Sequence, residues 1–218
     1  LDKRPYIPGS SLRGKMRSQT EKILGARQNN RIGQVTIHTC KTREEYEANG
    51  GCPVCHVFGV PAEIGYSGPT RLLVRDVLLT DGSAAALDKA KTELPYAEIK
   101  TEVAIDRVTS AATPRSLERV PAGAVFGPAE LVFGIYEAAD FERLKTVIDA
   151  LQLVEDDYLG GAGSRGSGKV QFIDLDVSVR VRGQYAEAVS FGSFEGVQAL
   201  ADRFGELRTW LAQTIPLE

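Results

Sequence analysis

The sequence predicts an α+β fold of the ferredoxin-like (RRM-like) type, a βαββαβ core lacking its first strand. Three observations predict it. Apolar residues recur at helical spacing near Leu12–Leu24 and Phe141–Leu151, and short apolar or alternating runs near residues 71–80, 124–137 and 169–182 read as strands. Laid end to end, these give helix, strand, strand, helix, strand, the ferredoxin-like order without its opening strand. The chain begins at Leu1, and its one methionine, Met16, falls inside the first predicted helix. The missing strand is therefore expected to precede Leu1.

In chain order, Pro5-Tyr-Ile-Pro8 cannot be helical. Ser10 or Ser11 is then a natural N-cap for a helix carrying Leu12, Met16, Ile23 and Leu24, stopped by Gly25. A polar insert follows over residues 36–59. Arg71–Thr80 is apolar and short enough for a buried strand, and residues 84–91 suit a short helix or connector. From Thr92 to Gly123 no core period is visible, and so long a stretch in a compact domain points to a functional excursion. Ala124–Glu137 resumes as strand. Asp140 is expected to cap a helix whose Phe141, Leu144, Val147, Ile148 and Leu151 share a face. Lys169–Arg182 alternates as a half-buried strand, and residues 183–218 form a C-terminal helical tail, with an amphipathic helix over Phe194–Leu211 that holds Trp210. The whole, 1–218, is expected to be a single domain.

The bulk numbers bound the function. With 43% hydrophobic residues in 218, one sizeable core can be buried. No apolar run approaches a membrane span, and no signal peptide is evident, so the chain reads as soluble and cytoplasmic with no membrane partner. A net charge of -3 argues against nucleic-acid binding by bulk charge. The average hides an asymmetry: residues 1–31 hold eight Lys or Arg against Asp2 and Glu21, whereas residues 183–218 hold two arginines against five acidic residues. The first end suits phosphates, the second solvent or a neighbouring subunit.

All three cysteines fall with a histidine into His38-Thr-Cys40 and, after 11 residues, Cys52-Pro-Val-Cys55. One imidazole and three thiolates are the ligand set of a closed, structural zinc site. Gly50-Gly51 supplies the bend before the second pair. His56, the other histidine of the chain, is an alternative fourth ligand. The bland alternative, a Cys52/Cys55 redox pair, lacks the surrounding strand-to-helix pattern. An odd cysteine count argues against a disulfide framework.

The segment Tyr158-Leu-Gly160-Gly161-Ala-Gly163-Ser-Arg165-Gly166-Ser-Gly168-Lys169-Val170 contains near matches to a dinucleotide fingerprint and to a phosphate loop. Both need a strand before and a helix after. Here a helix precedes and a strand follows, and Val170 cannot supply a magnesium-binding hydroxyl. What survives is a flexible loop with backbone N–H groups and two cations, Arg165 and Lys169, suited to a phosphodiester backbone.

Pro5-Tyr-Ile-Pro-Gly-Ser-Ser-Leu-Arg-Gly-Lys-Met-Arg17, with a late glycine-rich loop before the last core strand, resembles the RAMP (repeat-associated mysterious protein) superfamily of CRISPR effectors. Cys52-Pro-Val-Cys55-His-Val-Phe58-Gly59, Ile105-Asp-Arg-Val-Thr109 and Glu118-Arg-Val-Pro121-Ala-Gly123 look most like the repeated backbone subunit of type III complexes. The resemblance implies a subunit that polymerises along a guide RNA (crRNA), with residues 92–123 as a thumb inserted into the guide–target duplex. It implies guide contacts by Ser10, Ser11, Arg13, Lys15 and Arg17 at the helix start, and by Gly161, Gly163, Arg165, Gly166 and Lys169 in the loop. Arg107, Arg115 and Arg119 of the thumb would touch RNA or bridge to a carboxylate of the next subunit.

In this family target RNA is cleaved by a metal-dependent endoribonuclease step, with magnesium or another divalent cation. The step uses an aspartate upstream of the Pro-Tyr-Ile-Pro segment, here expected before Leu1 and distinct from Asp2. Some relatives lack it and serve as scaffold. Asp76, Asp106 and Glu118 show no magnesium-site spacing. The competing expectation is a RAMP endoribonuclease that processes precursor crRNA, which calls for a catalytic histidine or tyrosine near the first helix and no zinc insert. A third, a zinc-stabilised interaction module without RNA, leaves the glycine-rich loop idle.

Overall fold

The fold is mixed α+β, seen in a computed structural model that describes residues 3–61, 65–90 and 92–217; Asp2 lies outside these. The elements are β1 (Tyr6–Ile7), α1 (Gly9–Ile23), β2 (Gln28–Ile32), β3 (Val35–His38), α2 (Arg43–Glu47), α3 (Pro53–Phe58), β4 (Leu72–Val74), β5 (Val77–Leu78) and α4 (Asp81–Lys89). After them come β6 (Glu98–Ile105), β7 (Ala112–Arg119), β8 (Leu131–Phe133), α5 (Ala139–Asp156), β9 (Ile173–Val179), β10 (Val189–Gly196), α6 (Val197–Asp202) and α7 (Phe204–Thr214). The chain divides into two compact units, one formed by Leu1–Ser10 and Arg75–Glu130, the other by Ser11–Val74 and Leu131–Glu218.

In the first unit β1 pairs antiparallel with β5, and Thr80 caps α4 by accepting from the Ser83 N–H. Leu79, Ala84 and Leu87 form its small core, with Tyr96, Val120, Ala124 and Phe126 packed against them. The segment 92–123 contains a regular hairpin, β6 paired with β7 from Glu98↔Arg119 to Ile105↔Ala112. No period was legible there because most positions on both faces of the hairpin are exposed, so nothing imposes alternation.

The second unit holds most of the buried side chains. β4 pairs antiparallel with β8, Leu72 opposite Phe133. α5 packs against α3, α6 and α7, burying Phe141, Val147, Ile148, Leu151 and Val154 on the face expected from their spacing.

Several boundaries move. α1 begins at Gly9, so Ser10 and Ser11 lie inside its first turn instead of capping it. The Asp76 carboxylate takes the capping role, accepting the Gly9 N–H at 2.7 Å. The strand expected over 71–80 is split at Arg75-Asp76 into β4 and β5, which belong to different units. Of 124–137 only β8 is strand. Asp140 lies within the first turn of α5 and accepts the N–H groups of Tyr136 and Glu137. The tail 183–218 opens with β10, which pairs with β9 and whose small residues Ser190, Gly192 and Ser193 hid the strand signal. The helix expected over 194–211 is two helices broken at Arg203. The hairpin of β2 and β3, whose second strand runs into the insert, was not anticipated.

Candidate metal centre and nucleic-acid interface

His38 ends β3 and Cys40 follows two residues on, so both side chains leave the extended chain on one side. Cys52 stands at the N-cap of α3 and Cys55 one turn along, with Pro53 preset for the first helical position. Gly50 and Gly51 make the bend with φ of 84° and 92°. At Gly51 a Cβ would stand 2.5 Å from the Arg143 guanidinium and 2.6 Å from the His56 ring, so no other residue fits. The result is a convergent group. The imidazole and sulfur atoms of His38, Cys40, Cys52 and Cys55 all lie within 4.8 Å of one another. His38 Nε2 is 3.4 Å from Cys52 Sγ and 3.8 Å from Cys40 Sγ, near the ~3.8 Å edge of a tetrahedron with metal–sulfur bonds of about 2.3 Å.

His38 Nδ1 lies 3.1 Å from the Arg27 carbonyl oxygen, a partner that fixes the tautomer leaving Nε2 free to ligate. Hydrogen bonds with Cys55 push the Cys52 thiol down to about 4 against its burial, whereas burial lifts Cys40 to about 11 and the Cys52 neighbour raises Cys55 further. His56 is not part of the group. It is buried, stacked on Tyr46 at 3.9 Å, and directs Nδ1 to the Cys52 carbonyl oxygen. Burial lowers its pKa, which keeps the ring neutral.

Two arginines fasten this centre to α1. Arg13 donates to the carbonyl oxygens of Leu72 and Phe58, at 3.1 and 2.6 Å. Arg17 donates to Gly59 and His38, at 2.9 and 2.7 Å, and pairs with the buried Glu21 at 2.8 Å. Phe58 and Gly59 end α3, so these guanidiniums satisfy carbonyls that the helix leaves orphaned. Burial and the neighbouring Arg17 charge lower the pKa of Arg13. Sequence reasoning placed both arginines toward phosphate; the structure places their N–H groups on the metal insert. A second tie comes from α5: Arg143 donates to the Gly50 carbonyl oxygen and to Asp140, which also accepts from Arg71.

Lys15 is different. Its ammonium lies 3.7 Å from the centroid of the Tyr158 ring and 2.6 Å from Asp157, and Gln19 donates to the same carboxylate. Lys15 holds the Asp157 carboxyl below the usual carboxylate range. The first helix and the glycine-rich loop therefore meet on one surface. In that loop Gly160, Ala162, Gly166 and Gly168 have positive φ, Arg165 and Gly166 N–H groups close an internal turn, and Lys169 donates to the Glu155 carbonyl oxygen at the end of α5. Gly161, Arg165, Gly166 and Lys169 are exposed.

A Cβ on Gly163 would stand 2.0 Å from the Tyr158 ring, whereas one on Gly161 meets nothing within 4 Å. Gly163→Ala is expected to displace Tyr158 and the ammonium it carries, costing about 1–3 kcal/mol in urea unfolding. Gly161→Ala should be near neutral, and equal stabilities for the two variants would contradict the packing.

A family model described as the RAMP superfamily matches residues 1–171. A protein named CRISPR system Cms endoribonuclease Csm3 from Methanothermobacter thermautotrophicus is 37% identical over 209 residues, covering 88% of this chain and 78% of its own length. The chain belongs to the RAMP superfamily, and within it to the Csm3 proteins. The like-named protein of Methanocaldococcus jannaschii is 37% identical over 185 residues, covering 84% of this chain and 68% of its own. Among solved RAMP structures, a Csm3–Csm4 subcomplex of a type III-A CRISPR–Cas interference complex aligns over 93% of this chain and 82% of its own, with TM-score 0.59 and 26% identity. Methanopyrus kandleri Csm3 aligns over 98% and 86%, with TM-score 0.64 and 21% identity, a likeness of fold.

In this RAMP chain the arginines of 92–123 divide. Arg115 pairs with Glu102 at 3.1 Å and Arg119 with Glu98 at 2.5 Å, both across their own hairpin, while Arg107 is exposed in its connecting turn. Asp106 accepts the N–H groups of Val108 and Thr109 and so shapes that turn. The sequence reading missed Asp157, whose place beside the glycine-rich loop was the one available signal, and it gave Asp140 a capping role without its bonds to Arg71 and Arg143. Among the described residues, no helix is long and apolar enough to cross a membrane.

Proposed function

We propose that this chain is a crRNA-binding backbone subunit of a type III CRISPR interference complex, forming a filament with copies of itself along the guide and cleaving target RNA at regular intervals. The observation that carries the reading is the convergence of α1 and the glycine-rich loop at Lys15, Asp157 and Tyr158, in a chain whose relatives are named as CRISPR endoribonucleases. Ser10, Ser11, Lys15, Gly161, Gly163, Arg165, Gly166 and Lys169 form the guide-phosphate track. Arg13 and Arg17 act beneath it by holding α1 to the metal insert. Residues 92–123 are the thumb, with Arg107 its RNA contact, and other type III subunits, a Csm4 among them, are its partners.

His38, Cys40, Cys52 and Cys55 hold a structural zinc, since four protein ligands leave no position for water. The core is ferredoxin-like, and cleavage uses magnesium or another divalent cation. Processing of precursor crRNA is the weaker alternative. It calls for a catalytic histidine or tyrosine near the first helix and for no zinc insert, whereas His38 and His56 are both engaged around the metal group.

Replacing Lys15 and Arg165 together by Ala is expected to weaken single-stranded RNA binding roughly tenfold and to flatten the dependence of log K on log salt. Fluorescence anisotropy between 50 and 200 mM salt reads both, and an unchanged affinity would count against the track.

A further inference from the structure

Residues 22–43 contain five Lys or Arg (Lys22, Arg27, Arg31, Lys41, Arg43) and no Asp or Glu, in a chain whose net charge is -3. The structure gathers this stretch into the end of α1, the β2–β3 hairpin and the turn into α2. The cations of the hairpin fare differently from those of α1 and the thumb. Lys15, Arg17, Arg115 and Arg119 are all paired with carboxylates. Lys22, at the end of α1, acts on the Asp157 carboxylate, whereas Arg27, Arg31 and Lys41 are exposed and among the described residues none of these three forms a salt bridge: Arg31 donates to the Gly33 carbonyl oxygen and Lys41 to the Asn30 side chain. Arg43 alone has an acidic partner, Glu47 at 3.4 Å.

The hairpin is also braced. Asn29 exchanges two hydrogen bonds with Thr39, Gln28 donates to the buried Glu21, and the Arg27 carbonyl faces His38. Its foot borders a concavity of about 620 Å³ that Arg27, Asn29, Lys41 and Glu45 line together with His38, Cys40 and Cys52 of the metal group, and its tip exposes Ile32 and Val35 opposite each other. The acidic groups that face it are Glu21, which accepts from Gln28 and the His38 N–H and is paired with Arg17, Glu45, which accepts the Lys41 backbone N–H, and Glu44 beside it on α2.

We propose that this hairpin is a second contact for single-stranded RNA, its unpaired cations on the phosphates and its apolar tip against a base. The proposal rests on the RNA-binding reading above but uses none of its residues. Cations fixed on a braced strand pair and held in no salt bridge are the arrangement in which each phosphate contact releases a bound ion.

The test is the full chain with Arg27, Arg31 and Lys41 changed together to Ala, titrated against a labelled single-stranded RNA of mixed sequence. Affinity should fall at least tenfold, and the slope of log K against log salt should flatten by about two, from roughly 0.7 per charge removed. Because Lys41 adjoins Cys40, bound metal is measured in parallel, and Arg31→Glu, opposite Thr36 and exposed, provides an independent variant expected to weaken binding with metal content unchanged. Wild-type affinity and slope in Arg31→Glu and in the triple variant, with the Lys15/Arg165 variant impaired, would overturn the hairpin contact and leave the main track standing. Wild-type binding in all three would instead remove the RNA reading itself.

Discussion

Cys55→Ser is expected to abolish stoichiometric metal binding and to loosen residues 36–59 together with α1. Cys55 is buried, and its sulfur accepts the Cys40 N–H at 3.4 Å, so it lies at the centre of the proposed ligand group. Structural zinc contributes of order 10–16 kcal/mol of apparent binding free energy in isolated fingers, and here that energy is coupled to the insert's fold. Because Arg13 and Arg17 grip carbonyls at the end of α3, a melted α3 takes their partners away. The expected result is below about 0.2 equivalents of zinc, rapid proteolysis between Lys41 and Gly59, and weakened RNA binding although no RNA-contacting residue has been changed. About one equivalent of zinc retained by the variant would refute the ligand assignment.

Asp140→Asn is the second large effect. Asp140 is 0% exposed and accepts from Arg71 at 3.0 Å, from Arg143 at 2.8 Å and from two backbone N–H groups. Burial alone would raise its pKa, but the Tyr136 N–H and the two guanidiniums outweigh burial and hold it below the ordinary value. Removing the charge leaves two buried arginines with only the half-exposed Glu137 between them, an expected loss of about 3–5 kcal/mol at pH 7.

The sign of the pH dependence follows from the depressed pKa. The carboxylate contributes its full stabilisation above the unfolded value near 3.9 and loses it as pH falls through the lower folded value. Urea unfolding of wild type and variant should therefore differ at pH 7, and the difference should shrink as pH falls below the unfolded value near 3.9. A constant difference across that range would show that charge at Asp140 is not what the cluster uses.

The parts of this molecule that were readable from sequence are those whose chemistry is local. His38-x-Cys40 and Cys52-x-x-Cys55 sit on short spacings that a turn and a helix cap bring together, and α5 shows its buried face because one side of it is packed throughout. What escaped is set by partners with no sequence signature. Arg13 and Arg17 carry the pattern of a phosphate-binding helix face, yet they donate to main-chain carbonyls, and every residue has a carbonyl. The hairpin of β6 and β7 escaped because no face of it is packed, and β10 because glycine and serine interrupt its alternation. The Lys15–Asp157 pair joins residues too distant in the chain for any spacing rule to link them.

The paired arm of β6 and β7 carries as many acidic as basic side chains from Glu98 to Arg119. Glu98 with Arg119, and Glu102 with Lys100 and Arg115, cancel one another on one side, while Ile99, Val103 and Ile105 stand bare on the other. An arm of that kind is electrostatically silent. Apart from Arg107 at the turn, its strands are neither drawn to a polyanion nor driven off by one, so their engagement should depend on shape more than on ionic strength, unlike that of the proposed phosphate track.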